Sequence, residues 1–261
     1  MKVIRGKKAL VTGAASGIGR SIALALAREG ADLFLIDIDE AGLATVVEEI
    51  RMIGVEVIGK TCDVADADQL TASINALKNS WGKLDILVNN AGVLYYGRTE
   101  KMTEEEWDHL LAVNLGAPIR LTRRLLPILR AQPEAHILNI SSVAGLVPAR
   151  KMAAYQTSKF ALVGLSEALR AEYGPYGLGV TVLCPGFVKT KMLDSALKQN
   201  RLPPFLQLSP DLVAKHAIKA IRKNRGLVVI SAFARFLWFL HRYSPFIFDI
   251  WGHMRSRRKK Q

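Results

Sequence analysis

The chain has 261 residues, half of them apolar, enough for one α/β domain to bury a core without staples. Its two cysteines, Cys62 and Cys184, lie far apart in apolar stretches; that excludes a disulfide scaffold and predicts buried thiols. The net charge of +13 is concentrated at one end: residues 215–261 hold twelve Lys/Arg against the single acid Asp249, and the first 214 residues are close to neutral.

The basic stretch Met1 to Lys8 runs straight into a predicted strand at Lys8–Thr12. It lacks the apolar core of about 7–15 residues that a secretory signal needs, so the reading is cytoplasmic. Helical spacing of Ile22, Leu24, Leu26 and Ala27 predicts a helix over Ile18–Glu29, then a strand at Asp32–Asp37 and a helix from Glu40 to Ile53. Strands at Val55–Cys62 and Leu84–Val88 flank a helix near Ala67–Lys78. One long helical stretch spans Glu104–Arg130, followed by strand His136–Ser141, helix Ala153–Tyr173, strand Val180–Cys184, helix Pro210–Lys223 and strand Leu227–Ile230. Short Val/Ile/Leu-rich strands alternating with crossover helices predict a single doubly wound parallel sheet, a Rossmann-type α/β domain over residues 1–230. In such a sheet the ligand lies beyond the carboxyl ends of the strands.

The residues just past those strand ends carry the chemistry. Thr12-Gly13-Ala14-Ala15-Ser16-Gly17-Ile18-Gly19 opens the first helix. Glycine at 13 and 17 lets backbone N–H groups approach a pyrophosphate, and Gly19 allows close helix–strand packing. A tight strand–helix turn needs glycine too, so the loop alone decides little. Asp37 ends the second strand, where an acid accepts from ribose hydroxyls and repels a 2′-phosphate. No basic residue stands beside it, which favours NAD over NADP. Asn89-Asn90-Ala91-Gly92 follows the fourth strand, where the amides tie strand ends together and the small residues keep the floor low. Tyr155 and Lys159 lie one helical turn apart, so an ammonium stands near a phenol and favours its ionised form. An isolated pair of this kind is more often a surface pair. Ser142, at the end of the fifth strand, shifts that balance by offering a hydroxyl to the same crevice. Asn114 is a mid-helix asparagine, locally unfavourable. The five histidines, His109, His136, His216, His241 and His253, show no metal spacing.

Taken together, the glycine loop, Asn89–Gly92, Asn114, Ser142, Tyr155-x-x-x-Lys159 and Pro185-Gly186 resemble the short-chain dehydrogenase/reductase family, in order and spacing, over about residues 6–230. The resemblance implies a nicotinamide-dependent oxidoreductase acting on an alcohol or ketone. It makes Tyr155 the general acid or base and Lys159 the residue that lowers its pKa and binds the nicotinamide ribose. Ser142 would polarise the substrate oxygen, and Asn114 would hold a water in a proton relay. Gly13, Ser16, Gly17, Ile18 and Gly19 would wrap the pyrophosphate, with Asp37 on the adenosine ribose and Asp63 and Val64 at the adenine. Asn90, Ala91 and Gly92 would lie beside the ribose, and Pro185, Gly186, Val188 and Thr190 at the nicotinamide carboxamide. No metal is required. A homo-oligomer is implied as well.

The chain continues beyond the pattern, from Ser231 to Gln261. On a helix Phe233, Phe236, Leu237, Leu240 and Tyr243 share one face, opposite Arg235 and Arg242; Phe246, Ile247, Ile250, Trp251 and Met254 repeat the pattern before Arg255-x-Arg257-Arg258-Lys259-Lys260. The apolar runs are too short to span a bilayer. Peripheral membrane contact through residues 232–260 fits this composition, and so does an arm packed on the domain or a neighbouring subunit. Nucleic-acid binding fits less well, because the aromatics occupy an apolar face. The loop Lys191 to Ser209, with Met192, Leu193, Leu197, Leu202, Pro203, Pro204, Phe205 and Leu206, falls where the family carries its substrate lid; its apolar character implies a hydrophobic substrate, steroid-, retinoid- or acyl-like. Two other readings stand beside this one. An NADPH-dependent ketoacyl reductase is opposed by Asp37, and a non-catalytic, membrane-recruited dinucleotide binder by the complete Asn–Ser–Tyr–Lys set.

Overall fold

Parallel pairing of strands rich in Val, Leu and Ile organises the molecule in the computed structural model, which describes residues 1–193, Pro203 and 206–246. In chain order, β1 (Lys8–Thr12), α1 (Gly17–Arg28), β2 (Asp32–Asp37), α2 (Glu40–Arg51), β3 (Val57–Thr61), α3 (Ala67–Trp81) and β4 (Ile86–Asn89) form the first half. The second half comprises α4 (Glu104–Leu111), α5 (Ala117–Arg130), β5 (Ala135–Ile140), α6 (Ala153–Tyr173) and β6 (Leu178–Pro185). After the short strands β7 (Phe187–Val188) and β8 (Gln207–Leu208) come α7 (Pro210–Arg222), β9 (Leu227–Ile230) and α8 (Ala232–Tyr243).

The main sheet has seven strands in the order β3-β2-β1-β4-β5-β6-β9, all parallel. Strand order reverses between β1 and β4, so a crevice opens at their carboxyl ends. This is the Rossmann-type sheet expected. Two apolar layers cover it: one packs α1, α2 and α7 on one face, the other α3 and α5 on the opposite face. Cys62 and Cys184 are buried free thiols, as their apolar settings predict.

Three features depart from expectation. Strand β3 is an edge strand whose last three residues, Gly59, Lys60 and Thr61, are exposed, so it is not buried on both faces. A small parallel pair, β7 with β8, sits beside the main sheet. Most consequential, Glu104–Arg130 is not one helix. It is interrupted by a wide π turn, Ala112–Gly116, closed by Ala117 N–H on the Ala112 carbonyl. Pro118 explains the break. It has no N–H to give the Asn114 carbonyl four residues earlier, and its ring crowds that carbonyl, so the coil widens.

His136 is buried within β5, its Nε2 2.8 Å from the Thr181 hydroxyl. That hydroxyl donates to the Arg225 carbonyl, so it accepts from Nε2–H and leaves Nδ1 without a partner. Burial pushes the imidazole pKa down to about 3, and the ring is neutral.

Candidate active site

The crevice at the strand ends has a volume of about 480 Å³. At one end its wall is the β1–α1 loop. Gly13 has φ +66°, and a Cβ there would lie 2.8 Å from the Ala91 Cα. Gly19 is still more confined: a Cβ would stand 1.9 Å from the Gly13 carbonyl oxygen. Only glycine lets α1 start this close to the loop. Asn90 locks the arrangement, its Nδ2 donating to the carbonyls of Thr12 (2.9 Å) and Gly13 (3.0 Å). The Thr12 hydroxyl in turn accepts the backbone N–H groups of Asn90 and Ala91, each at 3.0 Å.

Ser16 precedes α1 but makes no side-chain cap, so the first-turn N–H groups of α1 carry no side-chain acceptor. Ser16, Gly17 and Ile18 line the crevice at that point. Uncapped amides at the positive end of a helix suit a pyrophosphate. Asp37 lines the same end. Its carboxylate accepts from Ala15 N–H (2.8 Å) and Asp39 N–H (2.9 Å), which fixes it against the loop.

Tyr155 and Lys159 stand on one face of α6, with the ammonium 5.6 Å from the phenol ring centroid. Lys159 is buried and donates to the Ile140 carbonyl at 3.0 Å. Ser142, past the end of β5, accepts from Ala144 N–H at 3.1 Å, and its hydroxyl favours the ionised form of the Tyr155 phenol. Burial dominates both ionisations. It pushes Tyr155 up to about 12, against the influence of the Ser142 hydroxyl, and pushes Lys159 down to about 8. Desolvation thus comes first among the influences on the phenol and disfavours its ionised form.

Asn114 sits in the π turn and does not line the crevice. Its Oδ1 accepts Val93 N–H at 2.8 Å, while its Nδ2 donates to the Val93 carbonyl (2.9 Å) and the Ser158 hydroxyl (3.1 Å). Both amide hydrogens are spent, so the side chain clamps the segment after β4 and has none left for a water. Gly19, too, stands behind the wall. The other positions singled out in the sequence, Gly13, Ser16, Gly17, Ile18, Asp37, Asp63, Val64, Asn90, Ala91, Gly92, Ser142, Tyr155, Lys159, Pro185, Gly186, Val188 and Thr190, all line the crevice.

The opposite end is apolar, and most of it was not singled out. Val143, Ala144, Val147, Pro148, Ala149 and Met152 come from the segment between β5 and α6, Val93 and Leu94 from the one after β4. His109 also lines the crevice. Met192, Leu193 and Leu206 of the expected lid line it; Leu197, Leu202, Pro204 and Phe205 lie outside the described residues. Phe233, Ala234 and Leu237 of α8 complete this wall. Chain position after a strand was the available signal for residues 143–149; α8 offered none, because its helical pattern does not say which side faces the crevice.

The family model for short chain dehydrogenases matches residues 7–201. An uncharacterized oxidoreductase of Thermotoga maritima is 35% identical over 231 residues, covering 88% of this chain and 90% of the relative. Among solved structures, a short chain dehydrogenase/reductase from Burkholderia phymatum in complex with NAD superposes with a TM-score of 0.85 at 32% identity, covering 95% of this chain and 96% of that one. An NAD(P)-dependent gluconate 5-dehydrogenase, so described as putative, from Beutenbergia cavernae with bound NADP gives 0.80 at 30% identity, covering 88% and 96%. With the glycine cradle, the crevice and these likenesses in agreement, the chain belongs to the short-chain dehydrogenase/reductase family of NAD(P)-dependent oxidoreductases.

Proposed function

We propose that the protein moves hydride between NAD(H) and the carbinol or carbonyl carbon of a hydrophobic secondary alcohol or ketone. The observation that carries this reading is the Tyr155 phenol, in one crevice with Ser142 and the glycine loop and one helical turn from the buried Lys159. Bound along that crevice, the nicotinamide dinucleotide supplies or takes up the hydride. The uncapped start of α1 would hold its pyrophosphate and Asp37 its adenosine ribose, and that carboxylate favours NAD because it repels a 2′-phosphate.

In ketone reduction Tyr155 donates its phenolic proton to the substrate oxygen while Ser142 donates a second hydrogen bond to the same atom. A phenol whose pKa stands at about 12 keeps that proton throughout the neutral range. In alcohol oxidation the phenolate must accept the proton, so its pKa has to fall. Lowering it by four units costs roughly 5 kcal/mol at ~1.4 kcal/mol per unit. An ammonium 5.6 Å from the ring centroid supplies on the order of 3 kcal/mol at an effective dielectric near 20. Lys159 therefore needs help from Ser142 and from the positive charge of the oxidised cofactor. Asn114 positions the segment after β4, and its backbone carbonyl, without an α-helical donor at Pro118, is the group on that residue suited to hold a relay water.

The apolar end of the crevice supports a lipophilic substrate. Following nicotinamide absorbance with NAD and NADP against a panel of lipophilic and hydrophilic alcohols and ketones tests the proposal. Turnover with NAD that favours lipophilic secondary alcohols is the expected result. Turnover confined to NADP(H) and small hydrophilic substrates would overturn it.

A further inference from the structure

Helix α8 shows two unlike sides. Ala234 is buried, and Leu237 and Trp238 pack on a small core cluster with Val147, Val163 and Cys184. The opposite side is a ridge of large rings: Phe233, Phe236, Phe239 and Tyr243 are each 47% to 67% exposed, and Phe246, three residues beyond the helix, is exposed as well. Phe239 and Tyr243 lie against each other, with ring centroids 4.6 Å apart and planes tilted by 42°. Exposed aromatics gathered on one helical side mark an interaction surface.

The helix is held in this orientation. Ser231, which joins β9 to α8, has φ +87° and ψ 144°, a backbone state costly for any residue but glycine. Its hydroxyl caps the helix by accepting Ala234 N–H at 3.1 Å. Phe233 belongs to both sides: it is half exposed on the ridge and also lines the apolar end of the crevice.

Charge identifies the occupant. Residues 231–261 contain seven Lys/Arg and the single acid Asp249, together with eight of the chain's nineteen aromatic residues. Arg235 and Arg242 are exposed on α8 itself. A second copy of the chain would bring two strongly basic segments together, which like-charge repulsion opposes. An anionic lipid surface accepts both features at once, rings into the acyl boundary and cations against the head groups. The helix has only 12 residues, and among the described residues no helix is long and apolar enough to cross a membrane.

We propose that the α8 ridge seats in an anionic lipid surface, which places the apolar mouth of the crevice at the level of the acyl chains. The seating itself stands on the ridge and the charge. Its consequence, that substrate enters from the lipid, rests on the function proposed above.

The test is co-sedimentation of the full chain with vesicles of phosphatidylcholine alone and of phosphatidylcholine with phosphatidylglycerol, beside the double variant Phe236→Ser/Phe239→Ser. Both rings are exposed, so the variant should keep its fold and its NAD binding, read by thermal melting and protein fluorescence. The parent should partition onto the anionic vesicles about tenfold or more better than onto the neutral ones, with the preference reduced by salt. The double variant should lose at least as much. A parent that stays in the supernatant with both vesicles, or a variant that sediments equally, overturns the proposal. So does a dimer in light scattering without lipid that the variant abolishes, since the ridge would then be a self-association face. Because sedimentation needs no turnover, its failure is distinct from failure of the hydride-transfer reading.

Discussion

At the β1–β2–β4 end of the crevice the wall is made of backbone and short polar groups, each tied to the next: Asn90 to the carbonyls of Thr12 and Gly13, Thr12 to the Asn90 and Ala91 amides, Asp37 to the Ala15 amide. At the far end the wall is made of side chains from separate parts of the chain: residues of the segment 143–152, Met192, Leu193 and Leu206, and Phe233, Ala234 and Leu237. The first end has almost no freedom, since a methyl group at Gly19 would overlap a carbonyl oxygen. The second can trade one apolar side chain for another of similar volume at low cost. Under the proposed function, cofactor recognition would thus be fixed by geometry and substrate choice adjustable.

That contrast yields a graded set of expectations. Gly19→Ala should be the most damaging change, since the new Cβ meets the Gly13 carbonyl at 1.9 Å and displacing it should cost about 3 kcal/mol or more. Loss of both thermal stability and NAD binding would bear this out, whereas a variant with parental affinity would show the nucleotide end to be pliable. Lys159→Met removes the ammonium beside Tyr155, so the phenol pKa rises. The rising limb of alcohol oxidation against pH then moves to higher pH, and oxidation near neutrality falls about a hundredfold. Ketone reduction, which needs the phenol protonated, should suffer less at the same pH. A limb that stays in place would detach Lys159 from the proton step.

Asp37→Ala should shift cofactor preference toward NADP by about tenfold, the worth of one charge-assisted contact. An unchanged NAD/NADP ratio in kcat/KM would remove Asp37 from recognition. The smallest effect belongs to the substrate end. Phe233→Ala, at a half-exposed ring, should raise KM for a lipophilic alcohol by roughly fivefold or less, with kcat and NAD affinity unchanged. A large loss of kcat there would mean that the apolar wall positions the reacting atoms.

The same contrast explains what could be read from the chain. Glycine spacing, Asp37, Ser142 and the Tyr155–Lys159 pair were legible because each demand is local: a turn, a strand end, one helical turn. The sheet followed from strand–helix alternation, and α6 was legible from Ala153 to Tyr173. The interruption at Ala112–Gly116 was missed because a continuous apolar period hides a single widened turn, although Pro118 held the clue. The spent amide of Asn114 was not legible either, since Val93 and Ser158 reach it only in three dimensions. Desolvation of Tyr155 belongs to the same class. A neighbouring charge can be read from a helical spacing, but burial depends on everything that packs above the helix. Likewise the apolar pattern of α8 did not say which residues would pack, and Ala234, Leu237 and Trp238 do so while Phe236 and Phe239 face outward.

The proton step at Tyr155 is most directly tested by Tyr155→Phe, with hydride transfer followed in a single turnover and NAD affinity measured on the same sample. The phenyl ring keeps the shape of the floor and removes only the hydroxyl. The predicted result is a loss of transfer of about a thousandfold or more in both directions, with NAD affinity within a few-fold of the parent. Transfer at the parental rate in that variant would contradict the assignment of Tyr155 as the acid and base.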